Sequence, residues 1–196
     1  MRREEFPLGR PEWEKVIVEE GLTYSVDGPD DPDHYWNEYA AYIFSPEEMN
    51  SVRAQAEEMH RMCLSAVDYL ASGAFGTLGL PHGAFNLAVE SWNRRDPDFY
   101  GRFDFIYSGV PGEPLKLLEY NADTPTGIVE AAVCQKTWAK DQRLDMQGYA
   151  HWGEIGEAFV DRWRQIFAPE LTSGQRPVLH LAHVPEDIDE NREDYN

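Results

Sequence analysis

The spacing of apolar positions predicts one long amphipathic helix over residues 46–71. Apolar side chains recur there at intervals of three and four residues, which is the period of a single helix face. The helix is expected to begin after Ser45, because a serine followed by Pro46 and Glu48 forms a capping box with proline in the first turn. Gly73 is expected to end it.

Shorter stretches repeat this pattern or interrupt it. Further helices are predicted over residues 11–21, 84–95, 124–142 and 150–167. Residues 73–83 hold four glycines but lack the Lys-Ser/Thr ending of a phosphate-binding loop, so they predict a connecting loop. Residues 177–184 form an apolar run that is typical of a buried strand.

A β-hairpin is predicted in the middle of the chain. Two β-rich runs, residues 101–108 and 115–122, flank a loop rich in glycine and proline. Pairing the runs symmetrically about the loop sets Ser108 opposite Leu115. Helices, a hairpin, further helices and a strand then follow in order, which indicates a mixed α/β (α+β) fold.

The symmetric register gathers polar residues at one point of the hairpin. It places Asp104 opposite Glu119 and Arg102 opposite Asn121, with all four on one face because side chains two apart in a strand share a face. Directly opposed Cβ atoms lie about 4.5–5.5 Å apart, a distance at which two carboxylates repel each other. A slip of one residue would move one pair to the other face.

Two kinds of neutralisation remain open for this pair of acids. A shared proton would raise one pKa. A divalent cation would accept Asp104, Glu119 and the carbonyl of Asn121 as the oxygen ligands that Mg²⁺ prefers. Such an ion takes substrate phosphates as further ligands, and Arg102 would lie beside those phosphates. The plainer alternative is a salt bridge between Arg102 and Asp104, with Glu119 facing water.

The next helix begins close to these residues in sequence. Thr124 and Thr126 stand at its predicted N-terminus, where free N–H groups attract carboxylate or phosphate groups. An anionic substrate could therefore be held near a metal that carries phosphates, which is the arrangement needed for phosphoryl transfer onto a carboxylate.

Composition narrows the classes of partner. The chain has 196 residues, with 17 Lys and Arg against 36 Asp and Glu, and a formal net charge of −19. Nucleic acids and anionic membranes need a basic face, so the charge argues against both and favours a metal or a cationic substrate. No apolar stretch of about 18 residues and no signal-peptide core is found, and two cysteines form no disulfide framework. We therefore expect a cytoplasmic protein.

Two motifs resemble a known family. The segments GRFDF and KLLEYNADTPTGIVEA resemble the ATP-grasp ligase portion of the glutathionylspermidine synthase family, and YWNEYAAYIFSPEEM and HLAH…REDYN resemble its N-terminal half. The resemblance implies that residues 1–196 are the N-terminal part of an ATP-grasp-like ligase, with a β-hairpin site and flanking helices. It also implies that the C-terminal half, which closes over ATP, lies outside this chain.

The activity that this resemblance implies is ATP- and Mg²⁺-dependent formation of a C–N bond through an acyl phosphate. The acid would be a thiol peptide, glutathione in characterised members, and the amine a polyamine such as spermidine. Arg102 would contact the phosphates and act in catalysis, and Asp104 would bind ATP through the metal. The implied metal ligands are Asp104, Glu119 and Asn121, and the implied substrate-binding residues are Thr124, Thr126, Glu193 and Asp194.

Two departures from the family keep a second function open. No amidase domain precedes the ligase-like region, and the length is about half that of the family's ligase portion. We expect a chain of this length to be inactive alone. The alternative is a non-catalytic module that binds a peptide, a polyamine or a protein partner. The oligomeric state and the identities of the acid and amine stay open.

Overall fold

The computed structural model describes residues 1–23, 35–122, 126–151, 153 and 155–180. Its strands are β1 (Arg2–Glu5), β2 (Ala40–Ile43), β3 (Gly101–Ile106) and β4 (Lys116–Ala122). Its α-helices are α1 (Trp13–Glu19), α2 (Pro46–Ala71), α3 (His82–Arg94), α4 (Gln135–Asp141), α5 (Ile155–Ile166) and α6 (Ala168–Ser173). The mixture of helices and strands confirms the predicted α/β class.

The chain divides into two compact units. The hairpin unit comprises Met1 and residues 44–123, and the core unit comprises residues 2–43 and 124–196. Each unit contains one two-stranded antiparallel sheet, β3–β4 in the first and β1–β2 in the second.

The core unit buries a cluster of apolar side chains. Its fully or nearly fully buried members are Phe6, Ile17, Leu22, Trp36, Cys134, Trp138 and Leu144. The ring of Phe6 meets that of Trp138 edge-on, with ring centroids 5.1 Å apart. Burial of this many large side chains supplies most of the hydrophobic stabilisation of the unit.

A buried ion pair lies in the same unit. Arg10 donates from Nε and Nη2 to the two carboxylate oxygens of Glu38 at 3.0 and 3.1 Å, and its backbone N–H donates to Glu38 Oε1 at 2.9 Å. Trp36 Nε1 donates to Glu38 Oε2 at 2.9 Å, and Trp138 Nε1 donates to the Glu38 carbonyl at 3.0 Å. These contacts satisfy a carboxylate that has no exposed side-chain surface.

Helix α2 of the hairpin unit spans the predicted residues and carries the predicted capping box. Glu48 N donates to Ser45 Oγ, and Ser45 N donates to Glu48 Oε2 at 2.8 Å. No side chain of α2 is fully buried, however. Val67 of the predicted apolar face is exposed, and the other members of that face are half-buried: Met49, Val52, Ala56, Met59, Cys63 and Leu70.

Other predicted elements are confirmed with shifted ends. Helices α1, α3 and α5 fall within or beside the predicted ranges, and the glycine-rich segment forms turns between α2 and α3. Both cysteines are free. In the described part of the chain, no helix has the length and apolar character that crossing a bilayer requires.

Several features differ from the predictions. Strands β1 and β2 and helix α6 were not predicted, and a π-helical turn, Glu130–Cys134, precedes α4. The predicted buried strand over residues 177–184 is wrong where it can be seen, because residues 177–180 form no strand and Val178 is 70 % exposed. A buried strand needs a neighbouring strand, and the described residues provide none for this run. Residues 181–184 lie outside the described part.

Candidate functional site

The β3–β4 hairpin has the predicted register at its polar end. Asp104 lies opposite Glu119, and Arg102 lies opposite Asn121. The four side chains therefore occupy one face of a two-stranded ladder, as alternation along each strand requires. This placement confirms the pairing on which the predicted site depends.

The register nearer the loop differs from the symmetric one. Phe105 pairs with Leu117 and Ile106 with Lys116, so Leu118 is an additional residue on β4 with no partner on β3. This β-bulge shifts the pairing by one position on the loop side. The assumed pairing of Ser108 with Leu115 is therefore wrong, and both residues lie beyond the ends of the strands.

Hydrogen bonds link neighbouring polar residues along each strand. Arg102 donates from Nε to Asp104 Oδ1 at 3.1 Å and from Nη2 to Oδ2 at 3.4 Å. Asn121 Nδ2 donates to Glu119 Oε1 at 2.9 Å. The salt bridge considered as the alternative is thus present, and Glu119 is exposed as that alternative expected.

The two acidic residues lie opposite each other in the ladder. The hydrogen bonds from Arg102, and next a hydrogen bond with the carboxyl group of Glu119, hold the pKa of Asp104 below its ordinary value. Carboxylates at directly opposed positions repel each other, and a proton or a cation would offset that repulsion.

The donor set fits Mg²⁺ in its chemistry. Asp104 and Glu119 supply hard carboxylate oxygens, and Asn121 keeps its Oδ1 as an acceptor while Nδ2 donates. Among the described residues there is no group of three or more His, Cys, Asp and Glu that could hold a metal. A site of two acids and one amide matches an ion that keeps several waters and takes phosphates as further ligands.

The opposite face of the hairpin is aromatic. Phe103 lies opposite Tyr120, and their rings stack with centroids 3.9 Å apart, while Phe105 continues the stack 5.2 Å from Phe103. A Cβ at Gly101 would lie 2.7 Å from the Tyr120 ring, so only glycine leaves room for this ring. The Gly-Arg-Phe-Asp motif therefore alternates packing positions with polar ones.

Helix α2 holds the hairpin by three side chains. Tyr120 Oη lies 3.1 Å from His60 Nδ1, and Gln55 Oε1 accepts from the backbone N–H of Leu115 at 2.7 Å. Tyr107 Oη donates to Glu48 Oε1 at 3.1 Å. These contacts fix β4 on both sides of the bulge, and so they orient Glu119 and Asn121.

Sequence reasoning missed these supporting residues. Gly101, Tyr120 and His60 were not assigned roles, although the alternation of aromatic and polar residues in both strands was a usable signal. The contact of His60 with Tyr120 joins residues 60 apart in sequence, so no local pattern could have indicated it.

Of the four remaining predicted site residues, the structure describes one. Thr124, Glu193 and Asp194 lie outside the described residues. Thr126 is described, and it is half-buried just before the helical segment that leads into the π-helical turn. It belongs to the core unit, whereas Arg102, Asp104, Glu119 and Asn121 belong to the hairpin unit. The roles of the threonines and of the C-terminal acidic pair stay predictions.

The structure described so far defines a mixed α/β protein with a polar face on its hairpin. Comparison with known proteins identifies its family. The model of the glutathionylspermidine synthase preATP-grasp family matches residues 4–196. The chain therefore belongs to the glutathionylspermidine synthase family.

Individual relatives agree with this placement. A Haemophilus influenzae protein named "Putative acid--amine ligase" is 37 % identical over 134 residues, which cover 68 % of this chain and 33 % of that protein. The glutathionylspermidine synthase of Crithidia fasciculata is 26 % identical over 141 residues, or 69 % of this chain and 19 % of that enzyme. The trypanothione synthetase of the same organism is 36 % identical over 59 residues, or 30 % of this chain and 9 % of that enzyme. The chain thus spans a third or less of the length of these relatives.

Proposed function

We propose that the protein acts as an ATP- and Mg²⁺-dependent acid–amine ligase related to glutathionylspermidine synthase. The observation that carries this proposal is the opposed pairing of Asp104 with Glu119 and of Arg102 with Asn121 on one face of the hairpin. Family membership supplies the reaction class, and relatives bear the names of an acid–amine ligase and of glutathionylspermidine synthase.

The proposed reaction has two steps. A carboxylate oxygen of the acid attacks the γ-phosphorus of ATP, so that the bond to the bridging oxygen breaks and ADP leaves. The amine nitrogen then attacks the acyl carbon of the resulting acyl phosphate, inorganic phosphate leaves, and the nitrogen loses a proton. Both steps need charge neutralisation and alignment more than they need a protein nucleophile.

Each hairpin residue has a role in this proposal. Asp104, Glu119 and the Oδ1 of Asn121 would hold Mg²⁺, which neutralises phosphate charge when it is bound. Arg102 would donate to phosphate oxygens as a planar, always protonated group. We propose Thr124 and Thr126 as donors to the acid substrate, and Glu193 and Asp194 as partners of the amine.

The charge of the chain supports a cationic amine as the second substrate. A formal net charge of −19 attracts polyamines over long distances and repels nucleic acids. We propose a thiol peptide and a polyamine as the substrate classes and the cytoplasm as the location.

The test measures ADP release by the complete gene product with glutathione and spermidine. We expect turnover that needs Mg²⁺ and both substrates, and a loss of at least about 100-fold in Asp104→Asn and in Glu119→Gln, because each removes a charged ligand that acts in the transition state. Asp98→Asn is the matched control outside the polar hairpin face. Circular dichroism checks that each variant folds.

Two outcomes would contradict the proposal. Turnover that is unchanged in both carboxylate variants would reject the metal site. Binding of peptide or polyamine without any ADP release would favour the non-catalytic binding module, for which the existing neutralisation of Asp104 by Arg102 is the supporting observation.

A further inference from the structure

Two of the proposed metal ligands are already occupied by groups of the chain itself. The guanidinium of Arg102 spans both carboxylate oxygens of Asp104, and the amide N–H of Asn121 occupies Oε1 of Glu119. Arg102 and Asp104 are each a little over one-third exposed, so solvent and ligands can reach the pair.

We propose that Arg102 is an internal competitor of the metal, which releases Asp104 only when nucleotide phosphates take over its guanidinium. This inference rests on the proposed function and concerns the regulation of the same site. Metal alone must displace Arg102 from Asp104, whereas metal that arrives with phosphates provides Arg102 with a new anionic partner.

The competition follows from charge and from geometry. A guanidinium that donates to both oxygens of one carboxylate leaves fewer lone pairs for a cation, and two positive groups at one carboxylate repel each other. Phosphate oxygens match the planar fork of arginine as well as a carboxylate does. Arg102 is therefore expected to oppose binding of metal alone and to favour binding of metal with nucleotide.

The two opposite effects on metal affinity distinguish a competitor from a residue that only binds phosphate. A residue that only binds phosphate would leave the affinity for free metal unchanged when it is removed. Removal of a competitor raises the affinity for free metal, and the same removal lowers the affinity for metal that arrives with nucleotide.

The test measures Mn²⁺ binding to the complete gene product by titration calorimetry, first without nucleotide and then with ATP. For Mn²⁺ alone we expect Arg102→Gln to bind about two- to fivefold more tightly than the wild type, the range that a partly exposed ion pair supports. With ATP present we expect the same variant to bind more weakly than the wild type.

Two variants separate the effect of the Arg102–Asp104 contact from the effect of the positive charge. Arg102→Lys keeps the positive charge but cannot span both oxygens of Asp104, so its affinity for Mn²⁺ alone should lie between those of the wild type and of Arg102→Gln. Arg94 forms a similar two-point pair with Asp96 in the same unit, so Arg94→Gln changes the net charge equally and should bind Mn²⁺ like the wild type.

The possible results show whether the competition fails alone or together with the proposed function. Unchanged or weaker Mn²⁺ binding by Arg102→Gln overturns the competition, and so does an Arg102→Lys variant that equals the wild type. If Asp104→Asn still abolishes binding of Mn²⁺ with ATP, the metal site stands even though the competition fails. If neither the wild type nor any variant binds Mn²⁺ with ATP, both proposals fall.

Discussion

The two units hold an arginine–carboxylate pair in opposite surroundings. In the core unit, Arg10 and Glu38 have 6 % and 0 % of their side-chain surface exposed, and two indole N–H groups complete the network. In the hairpin unit, Arg102 and Asp104 are each exposed over more than a third of their surface. The same two-point contact is thus built into a closed core in one unit and left open to ligands in the other.

Burial decides which of the two pairs can exchange partners. A buried pair cannot exchange partners without leaving an unpaired charge in the interior, so Arg10 and Glu38 are suited to fixing the fold. An exposed pair contributes little to stability and exchanges partners at low cost. Of these two pairs, the open hairpin pair is therefore the one whose partners could be exchanged for the proposed metal and phosphates.

Removing the buried carboxylate should give the largest effect. Glu38→Ala leaves Arg10 with only the more distant Asp141 carboxylate, 3.6 Å away. Loss of one member of a buried pair costs about 3–5 kcal/mol. We expect a fall of this size in the free energy of unfolding, measured by urea titration with tryptophan fluorescence.

The matched control removes an exposed glutamate of the same unit. Glu5 pairs with Arg3 and is 79 % exposed, so Glu5→Ala should change the free energy of unfolding by less than about 1 kcal/mol. Equal effects of the two substitutions would contradict the expectation that burial makes the Arg10–Glu38 pair important for stability.

Apolar side chains should show the same contrast at a smaller scale. Ile17 of the core unit is completely buried, and Ile17→Ala should cost about 2–4 kcal/mol because a cavity replaces its contacts. Leu87 of the hairpin unit is 67 % exposed, and Leu87→Ala should lie within about 0.5 kcal/mol of the wild type. A large cost for Leu87→Ala in the same urea titration would show that the hairpin unit buries this surface in solution.

Local signals account for the elements that were predicted well. The capping box at Ser45 and Glu48 depends on residues three apart, so the start of α2 could be predicted from the sequence. The polar end of the hairpin was also predictable, because alternation places Asp104 and Glu119 on the same face once the strands are paired.

The features that were missed depend on distant partners. Strand β1 pairs with β2, with Glu5 opposite Ala40, and such a pairing leaves no local pattern. The bulge at Leu118 lies between Leu115 and Tyr120, which contact α2 through residues 60 positions away in sequence. Residues 177–180, the described part of the run at 177–184, are strand-like in composition but form no strand, so apolar composition alone does not make one there.

The smallest expected effect is a pH dependence in an exposed pair of the hairpin unit. Hydrogen bonds from Arg94 and then from Ser91 hold the pKa of Asp96 below its ordinary value. A lowered pKa in the folded state stabilises the protein fully above the unfolded value of about 3.9, and this contribution is lost as the pH falls through the folded pKa. Asp96→Asn should therefore lower the urea midpoint slightly at pH 7, by a small fraction of the Glu38→Ala effect. The difference from the wild type should close below about pH 4. Arg94→Gln removes the donor and should show the same closing difference, whereas a gap that is constant with pH would mean that the pair does not act through the charge of Asp96.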